Sequence, residues 1–475
     1  MTIPTLEQIE SELFKREFYL FLKSALNILE PQTKFDFNWH IQEICQILQL
    51  QAQRIAKQET KEKDLLINIP PRSLKSLTIT VCWNAWIWTF APHIKLLTGS
   101  YSQSLSIEHA VLTRRLIQSQ WYQSRWSTIY KLTTDQNTKT FFENDKGGSR
   151  NTTSTGSGVT GKGADIIIVD DPHTTQDSES ELALKTAWDW YSQTLFSRLN
   201  NQATGLRLVV MQRLNENDIS GKILDKKLNY SHICLPATQT DSISPEHLKE
   251  KYTDGLLFGQ RFSEKMLEEA KIILGSRAYN GQYEQRPAPA EGLVIKKEWL
   301  QKRFFTTDLP DDIIKNFFSD TAYGLENSDN SATICYSHYK NNVYIWAISK
   351  VNLGLPQFII HFKEWVKQNG YTQKSKCYFE PKATGISVVQ SLIDSEINAI
   401  KDIPPRDSKA TRLSAILPSV EAGKVFFNAS FDWNDFIKEC LSFPTGKSDD
   451  QVDCFTSCVR LALETQKDYS WIASL

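Results

Sequence analysis

Two parts of this 475-residue chain hold residue types suited to phosphate chemistry. In Ile69-Pro-Pro-Arg-Ser-Leu-Lys-Ser-Leu-Thr78 an apolar run meets a turn, and Lys75-Ser76 opens what reads as a helix. A phosphate loop needs those parts: a strand end, a tight turn with inward backbone N–H groups, and a helix N-terminus. Lysine neutralises phosphate charge, and the hydroxyl that follows it meets Mg²⁺. Pro71, Arg72, Ser73, Leu74, Lys75 and Ser76 would form the cradle for ATP, with Arg72 able to act as an internal arginine finger. Leu74 stands where such loops place glycine, which tolerates close approach and left-handed dihedrals. A Lys-Ser pair after a turn is by itself a common coincidence.

A second element strengthens the first. About 95 residues beyond Lys75, "DIIIVDDPH" is an apolar run ending in Asp170 and Asp171. In nucleotide-hydrolysing folds the first such carboxylate holds Mg²⁺ and the next polarises the attacking water. A buried strand ending in a solvated Asp-Asp turn is the plainer alternative for this run alone. "VVMQRLNEND" adds Gln212 and Arg213 at another strand end, a place for sensing the γ-phosphate. A surface turn with Asn215 or Asn217 capping a helix explains those two residues equally well. The glycine-rich "GSGVTGKGAD" leads into a strand instead of following one, which argues against a dinucleotide fingerprint.

The C-terminal half presents separated carboxylates. Asp320 interrupts "KNFFSDTAYG", Glu380 ends "KCYFEPKATG", and "SDDQVDC" opens the last helix with Asp449, Asp450 and Asp453. Asp450 and Asp453, three apart, share a helix face. Converging carboxylates of this kind can hold two Mg²⁺ or Mn²⁺ ions about 3.5–4 Å apart, which clamp the oxygens of a phosphodiester under hydrolysis. Singly, Asp320 reads as a turn residue, Glu380 as the residue before a proline, and Asp449 as a helix cap. Two carboxylates terminating apolar strands shift the reading to a nuclease.

The elements that must position these groups fall into two patterns. Residues 1–62 are helical in spacing, as in "FYLFLKSALNIL" and "WHIQEICQILQLQAQRIAKQ". Over 63–240 the strands "DLLINIP", "IKLLTGS", "ADIIIVDD" and "GLRLVVMQR" alternate with amphipathic helices, which predicts a mostly parallel sheet covered by helices. Residues 241–305 are linker-like, with "TQTDSISPEH" and "QRPAPAEG". Over 306–475 an antiparallel meander around "KNN" precedes a helix, a strand and two more helices, a mixed α/β sheet. The chain is therefore α/β throughout, in two domains.

Composition limits the alternatives. A formal net charge of −1 gives no global basic field, although carboxylate-rich sites can mask local basic grooves. The eight cysteines show no metal-ligand spacing and read as reduced thiols of a cytosolic protein. The N-terminus lacks the apolar core of a signal peptide, and "VCWNAWIWTFAPHIKLL" is too interrupted to span a membrane.

Taken together, the chain resembles the large subunit of a tailed-phage DNA-packaging terminase over nearly its whole length. The resemblance is carried by "NWHIQEI", "INIPPRSLKS", "LLTGSYSQSLS", "TGKGADIIIVDDPH", "VVMQRLNENDISGKIL", "YNGQYEQRPAPAEG" and "FPTGKSDDQVDC" in that order. It implies an N-terminal P-loop NTPase of the additional-strand type and a C-terminal RNase H-like endonuclease. Lys75 and Ser76 would bind ATP phosphate and Mg²⁺, Asp170 would bind Mg²⁺, and Asp171 would be catalytic. Asp320, Glu380 and Asp450 would be nuclease metal ligands, with Asp453 or Asp449 assisting. Two residues depart from the family pattern: Leu74 replaces glycine, and Asp171 replaces the glutamate that many members carry.

The resemblance also implies double-stranded DNA, a small terminase subunit and the procapsid portal as partners, a homo-oligomeric ring on the portal, and the bacterial host cytoplasm as location. Arg114, Arg115, Lys382 and Lys447 are sequence-independent DNA-contact candidates, each equally readable as a solvated surface residue. Three rivals remain: a helicase or other translocase, a nuclease without a motor, and a prophage relic whose nucleotide domain does not hydrolyse.

Overall fold

The computed structural model describes residues 5–158, 161, 163–287, 295–321, 330–381, 383–392, 395–402, 409–443 and 448–464. They form two compact units, one of residues 1–268 and 277–288, the other of 269–276 and 289–475.

The first unit is built on eight strands: β1 (Asp64–Asn68), β2 (Leu96–Ser100), β3 (Leu132–Asn137), β4 (Phe141–Asn144), β5 (Ser149–Ser154), β6 (Ile166–Asp170), β7 (Leu206–Met211) and β8 (Tyr230–Cys234). Their order is β3-β4-β5-β2-β6-β7-β1-β8. From β5 to β8 all neighbours are parallel, and β3 and β4 extend one edge as an antiparallel ribbon. β1, β2, β6 and β7 are buried at every residue, which is why they read as unbroken apolar runs. β7 lies between β1 and β6, so the expected additional strand is present.

Helices Leu6–Arg16, Phe18–Leu29 and Trp39–Ala56 belong to the same unit. They are tied to the segment after β1 by indole donors: Trp83 Nε1 donates to Leu48 O (3.2 Å) and Trp86 Nε1 to Phe14 O (2.8 Å). Buried indoles of this size each contribute several kcal/mol through area alone, about 25 cal/mol per Å². Residues 241–268 also pack here, through buried Ile243, Leu248, Leu257 and Phe262.

The second unit has seven strands: β9 (Arg303–Phe304), β10 (Asn316–Asp320), β11 (Ser331–Tyr339), β12 (Asn342–Val351), β13 (Cys377–Phe379), β14 (Ala399–Lys401) and β15 (Val425–Asn428). Their order is β14-β13-β10-β11-β12-β15-β9, and β11 alone runs against its neighbours. The five strands from β14 to β12 thus follow the RNase H arrangement. The "KNN" turn joins β11 to β12 with Lys340 at φ 47° and Asn341 at φ 64°, the left-handed pair that a tight hairpin demands.

Period-two alternation divides this sheet between two cores. Phe318, Ile334 and Ile345 face the helices Lys409–Glu421, Asn434–Ser442 and Asp450–Glu464. Phe317, Cys335 and Tyr344 face Leu355–Gln368 and Ala383–Leu392. All eight cysteines of the chain are free and buried.

Candidate nucleotide and carboxylate sites

The 69–76 loop leaves β1 and turns sharply. Ser73 Oγ donates to Pro70 O (2.8 Å), closing the turn, and Thr78 N donates to Leu74 O (3.0 Å). Leu74 takes φ 62° and Arg72 φ 63°. Leu74 therefore holds the left-handed backbone that glycine would supply, at about 1–2 kcal/mol for an L-residue. Arg72 projects an exposed side chain, and its carbonyl accepts from Arg261 NH1 (2.6 Å). Pro71 is half-buried beside it.

Lys75 and Ser76 both reach the end of β6. Lys75 Nζ lies 2.9 Å from Asp171 Oδ2, and Ser76 Oγ donates to Asp170 Oδ1 (3.1 Å). Thr80 Oγ1 donates to the other oxygen, Asp170 Oδ2 (2.7 Å). The sequence reading missed Thr80, although its spacing of four from Ser76 places it on the same helical face. Burial raises the pKa of both Asp170 and Asp171, with Lys75 opposing. Asp171 sits at φ 42°, a region that aspartate tolerates better than most residues, and Gln212 N donates to its Oδ1 (3.2 Å).

The helix after the loop opens as a π-turn, Leu77–Cys82, where the sequence predicted ordinary helix. Thr80 O there accepts from Asn84 Nδ2 (2.6 Å) and from NH2 of the buried Arg150 (3.1 Å). Burial lowers the Arg150 guanidinium to about 9. His109 Nδ1 lies 3.8 Å from Asp170 Oδ2, and burial, with Arg150 nearby, pushes this imidazole down to about 4, so it is neutral. Arg150 was not legible because β5 lacks apolar alternation, and His109 lies within the helix Gln103–Gln118, where nothing local marks it as facing Asp170.

Gln212 and Arg213 separate in role. Among the described residues nothing hydrogen-bonds the buried Gln212 Oε1. Arg213 is instead held by Asp218 through Nε (3.1 and 3.0 Å) and donates to Asn215 O through NH2 (3.3 Å). Asp218 caps the helix Ile219–Asp225, in place of the expected Asn215 or Asn217, because its carboxylate accepts Gly221 N (2.7 Å).

In the second unit, β10 and β13 run parallel with Ser319 opposite Phe379, so the next step of the register sets Asp320 beside Glu380. Both are buried, and Glu380 N donates to Ser319 O (3.1 Å). Asp320 also opposes Ala332 across β11, close to Asn330, whose Nδ2 donates to Asp450 Oδ2 (3.3 Å). Ser448 Oγ donates to the same Asp450 oxygen (2.9 Å). Asp449 and Asp453 turn to a cation: Lys409 Nζ lies 2.8 Å from an oxygen of each. Burial raises the Asp453 carboxyl, with Lys409 and Arg412 opposing. Among the described residues no three His, Cys, Asp or Glu side chains come close enough together to hold a metal ion. Lys409 and Arg412, like Lys350 against the buried Glu439 (2.7 Å), were missed by the sequence reading. Nothing local marks such lysines and arginines apart from surface ones.

Of the DNA-contact candidates, Arg114 NH1 donates to Asn137 Oδ1 (2.7 Å) and Thr138 O (3.0 Å), and Arg115 is exposed. Lys382 and Lys447 lie outside the described residues.

No protein-family model matches the chain, and no curated protein does. Solved structures do. The large terminase of a thermophilic bacteriophage, in complex with ATP-γ-S, aligns at 11% identity and TM-score 0.47 over 93% of this chain and 98% of that one. The bacteriophage HK97 large terminase aligns at 10% identity and TM-score 0.35 over 92% and 99%. A human cytomegalovirus terminase nuclease domain aligns at 12% identity and TM-score 0.30 over 35% and 95%. At these identities no residue's role is carried over.

Proposed function

We propose that this chain is the large subunit of a tailed-phage or prophage DNA-packaging terminase. In this reading it is an ATP-driven translocase of double-stranded DNA and a metal-dependent endonuclease that cuts concatemers. The observation that carries the motor half is the joining of Lys75 to Asp171 and of Ser76 to Asp170, across β1 and β6 with β7 between them. The hard oxygens of Ser76 and Asp170 suit Mg²⁺, and those of Asp320, Glu380 and Asp450 suit Mg²⁺ or Mn²⁺. Bound at these places, the cations supply neutralisation of phosphate charge.

The protein groups divide the remaining work. The loop backbone and Lys75 bind the ATP phosphates, and Thr80 holds Asp170 in its rotamer. Asp171 accepts the proton of the attacking water and is kept in place by Gln212 N–H. Gln212 Oε1 orients that water by accepting a hydrogen bond from it, and Arg72 reaches the transferring phosphate from its exposed position. Arg213 braces the β7 end against Asp218.

In the second unit Asp320 and Glu380 on adjacent strand ends, with Asp450 from the last helix, would hold the cleavage metals. Asp450 is the third ligand in this reading, since its hydrogen-bond donors Asn330 and Ser448 are neutral, whereas Lys409 engages Asp449 and Asp453. A helicase would repeat the nucleotide fold, and the second sheet has a different strand order. The small subunit, the portal, a ring on that portal and the host cytoplasm belong to this proposal. No described helix is long and apolar enough to cross a membrane.

DNA-stimulated ATP hydrolysis by the purified chain in Mg²⁺, wild type against Lys75→Ala, tests the reading. Turnover abolished by the substitution is the expected result. Absent turnover in the wild type, with Mn²⁺-dependent plasmid cleavage intact, would replace it with a nuclease carrying a silent nucleotide site.

A further inference from the structure

The carboxylate site of the second unit carries built-in cations. Lys409 and Arg412 stand three residues apart near the start of the helix Lys409–Glu421 and so share a face. Lys409 bridges Asp449 and Asp453. Arg412 reaches past it, with NH2 3.3 Å from Asp453 Oδ1 and NH1 3.7 Å from Glu380 Oε1. The side chains of Glu380 and Asp453 are each only 5% exposed, and that of Arg412 14%. At such burial screening by water is weak, so a guanidinium this close strongly offsets the carboxylate charge.

We propose that Arg412 is a resident counter-cation of Glu380 that opposes divalent-metal binding and thereby sets the metal affinity of the site; this rests on the nuclease reading above. Two observations support it. Arg412 and a metal would claim the same Glu380 carboxylate. Arg412 Nε is buried with no hydrogen-bond partner among the described residues, so the side chain is placed for its charge and not for a complete hydrogen-bond set. Asp453 does not depend on Arg412, because Lys409 Nζ remains 2.8 Å from its other oxygen.

Arg412→Met keeps the aliphatic stem and removes the charge. Arg412→Lys keeps a charge. Mn²⁺ binding is measured by titration calorimetry on the full chain without nucleotide, beside the melting temperature with and without Mn²⁺. Arg412→Met is expected to bind Mn²⁺ at least tenfold more tightly than wild type, to melt lower without metal, and to gain more from saturating Mn²⁺. Arg412→Lys should bind like the wild type. Equal or weaker Mn²⁺ binding by a folded Arg412→Met overturns the proposal while leaving the nuclease reading intact. Wild-type Mn²⁺ binding that is absent, or unchanged by Asp320→Asn, overturns the nuclease reading and this proposal with it. If Arg412→Met does not fold, Arg412→Gln is measured by the same criteria.

Discussion

Lys75 and Asp171 meet at 2.9 Å across the width of β7, so the ammonium that would grip phosphate is paired with the carboxylate that would activate water. A phosphate entering the loop would compete for the same ammonium, which couples nucleotide binding to release of the base. Lys75→Ala and Asp171→Asn are each expected to lower ATP turnover by at least about 100-fold, the scale of losing one group that acts at the transition state. Asp171→Glu should also impair turnover, because the φ of 42° at this position suits a short polar side chain. Steady-state ATPase rates of the three variants check this.

Leu74 supplies a left-handed residue without being glycine. Leu74→Gly relieves about 1–2 kcal/mol of backbone strain but adds about 0.5–1 kcal/mol of unfolded-state entropy, so stability should change by no more than about 1 kcal/mol. Turnover should survive. Leu74→Val, β-branched in the same backbone state, should destabilise more than Leu74→Gly. Urea denaturation of the pair decides the matter, and loss of turnover in Leu74→Gly would contradict a working loop.

The last helix offers three aspartates, and their partners separate them. Asp450→Asn, like Asp320→Asn and Glu380→Gln, is expected to abolish Mn²⁺-dependent plasmid cleavage. Asp449→Asn, which removes only a half-exposed partner of Lys409, should stay within a few-fold of wild type. Cleavage assays on matched preparations make the comparison.

Burial sets a pH dependence of definite sign. His40, His109 and His232 are each pushed down to about 4 from 6.5. Unfolding lets them bind protons, so their contribution is complete above pH 6.5 and is lost as pH falls towards 4. Asp170 and Asp171 are raised, and their contribution has the opposite sense, present at low pH and lost as pH rises through the raised values. The three histidines on their own lower stability at about pH 5 relative to about pH 7.5, by an amount on the order of a few kcal/mol, and Asp170 and Asp171 oppose them. Asp170→Asn should gain stability over wild type at about pH 7.5 and lose that advantage in acid. Thermal melts across the range test both statements.

Arg213 and Asp218 form a buried pair that the sequence alone could not distinguish from a phosphate sensor. Arg213→Ala leaves a fully buried carboxylate without its cation and should cost about 3–5 kcal/mol. Denaturant midpoints give the loss directly, and an unchanged midpoint would return Arg213 to the nucleotide site.

The fold was legible wherever burial on both faces produced apolar runs. β1, β2, β6 and β7 announced themselves this way, and so did the β11–β12 hairpin through its turn residues. The segment β3–β4–β5 did not, since "LTTDQN", "FFEN" and "SRNTTS" are short strands without an apolar run or clear apolar alternation. The same logic holds for the sites. Lys75, Ser76, Asp170 and Asp171 sit at element ends, where a polar residue interrupts an apolar run. Thr80, His109, Arg150 and Arg412 lie within elements and acquire meaning only from what the fold brings against them.

The eight buried thiols have a practical consequence. A maleimide dye added to the native protein meets no exposed cysteine, so slow labelling would time transient opening of the core. A single cysteine placed at exposed Arg115 would then carry the dye alone, giving a fluorescent tether without a cysteine-free background.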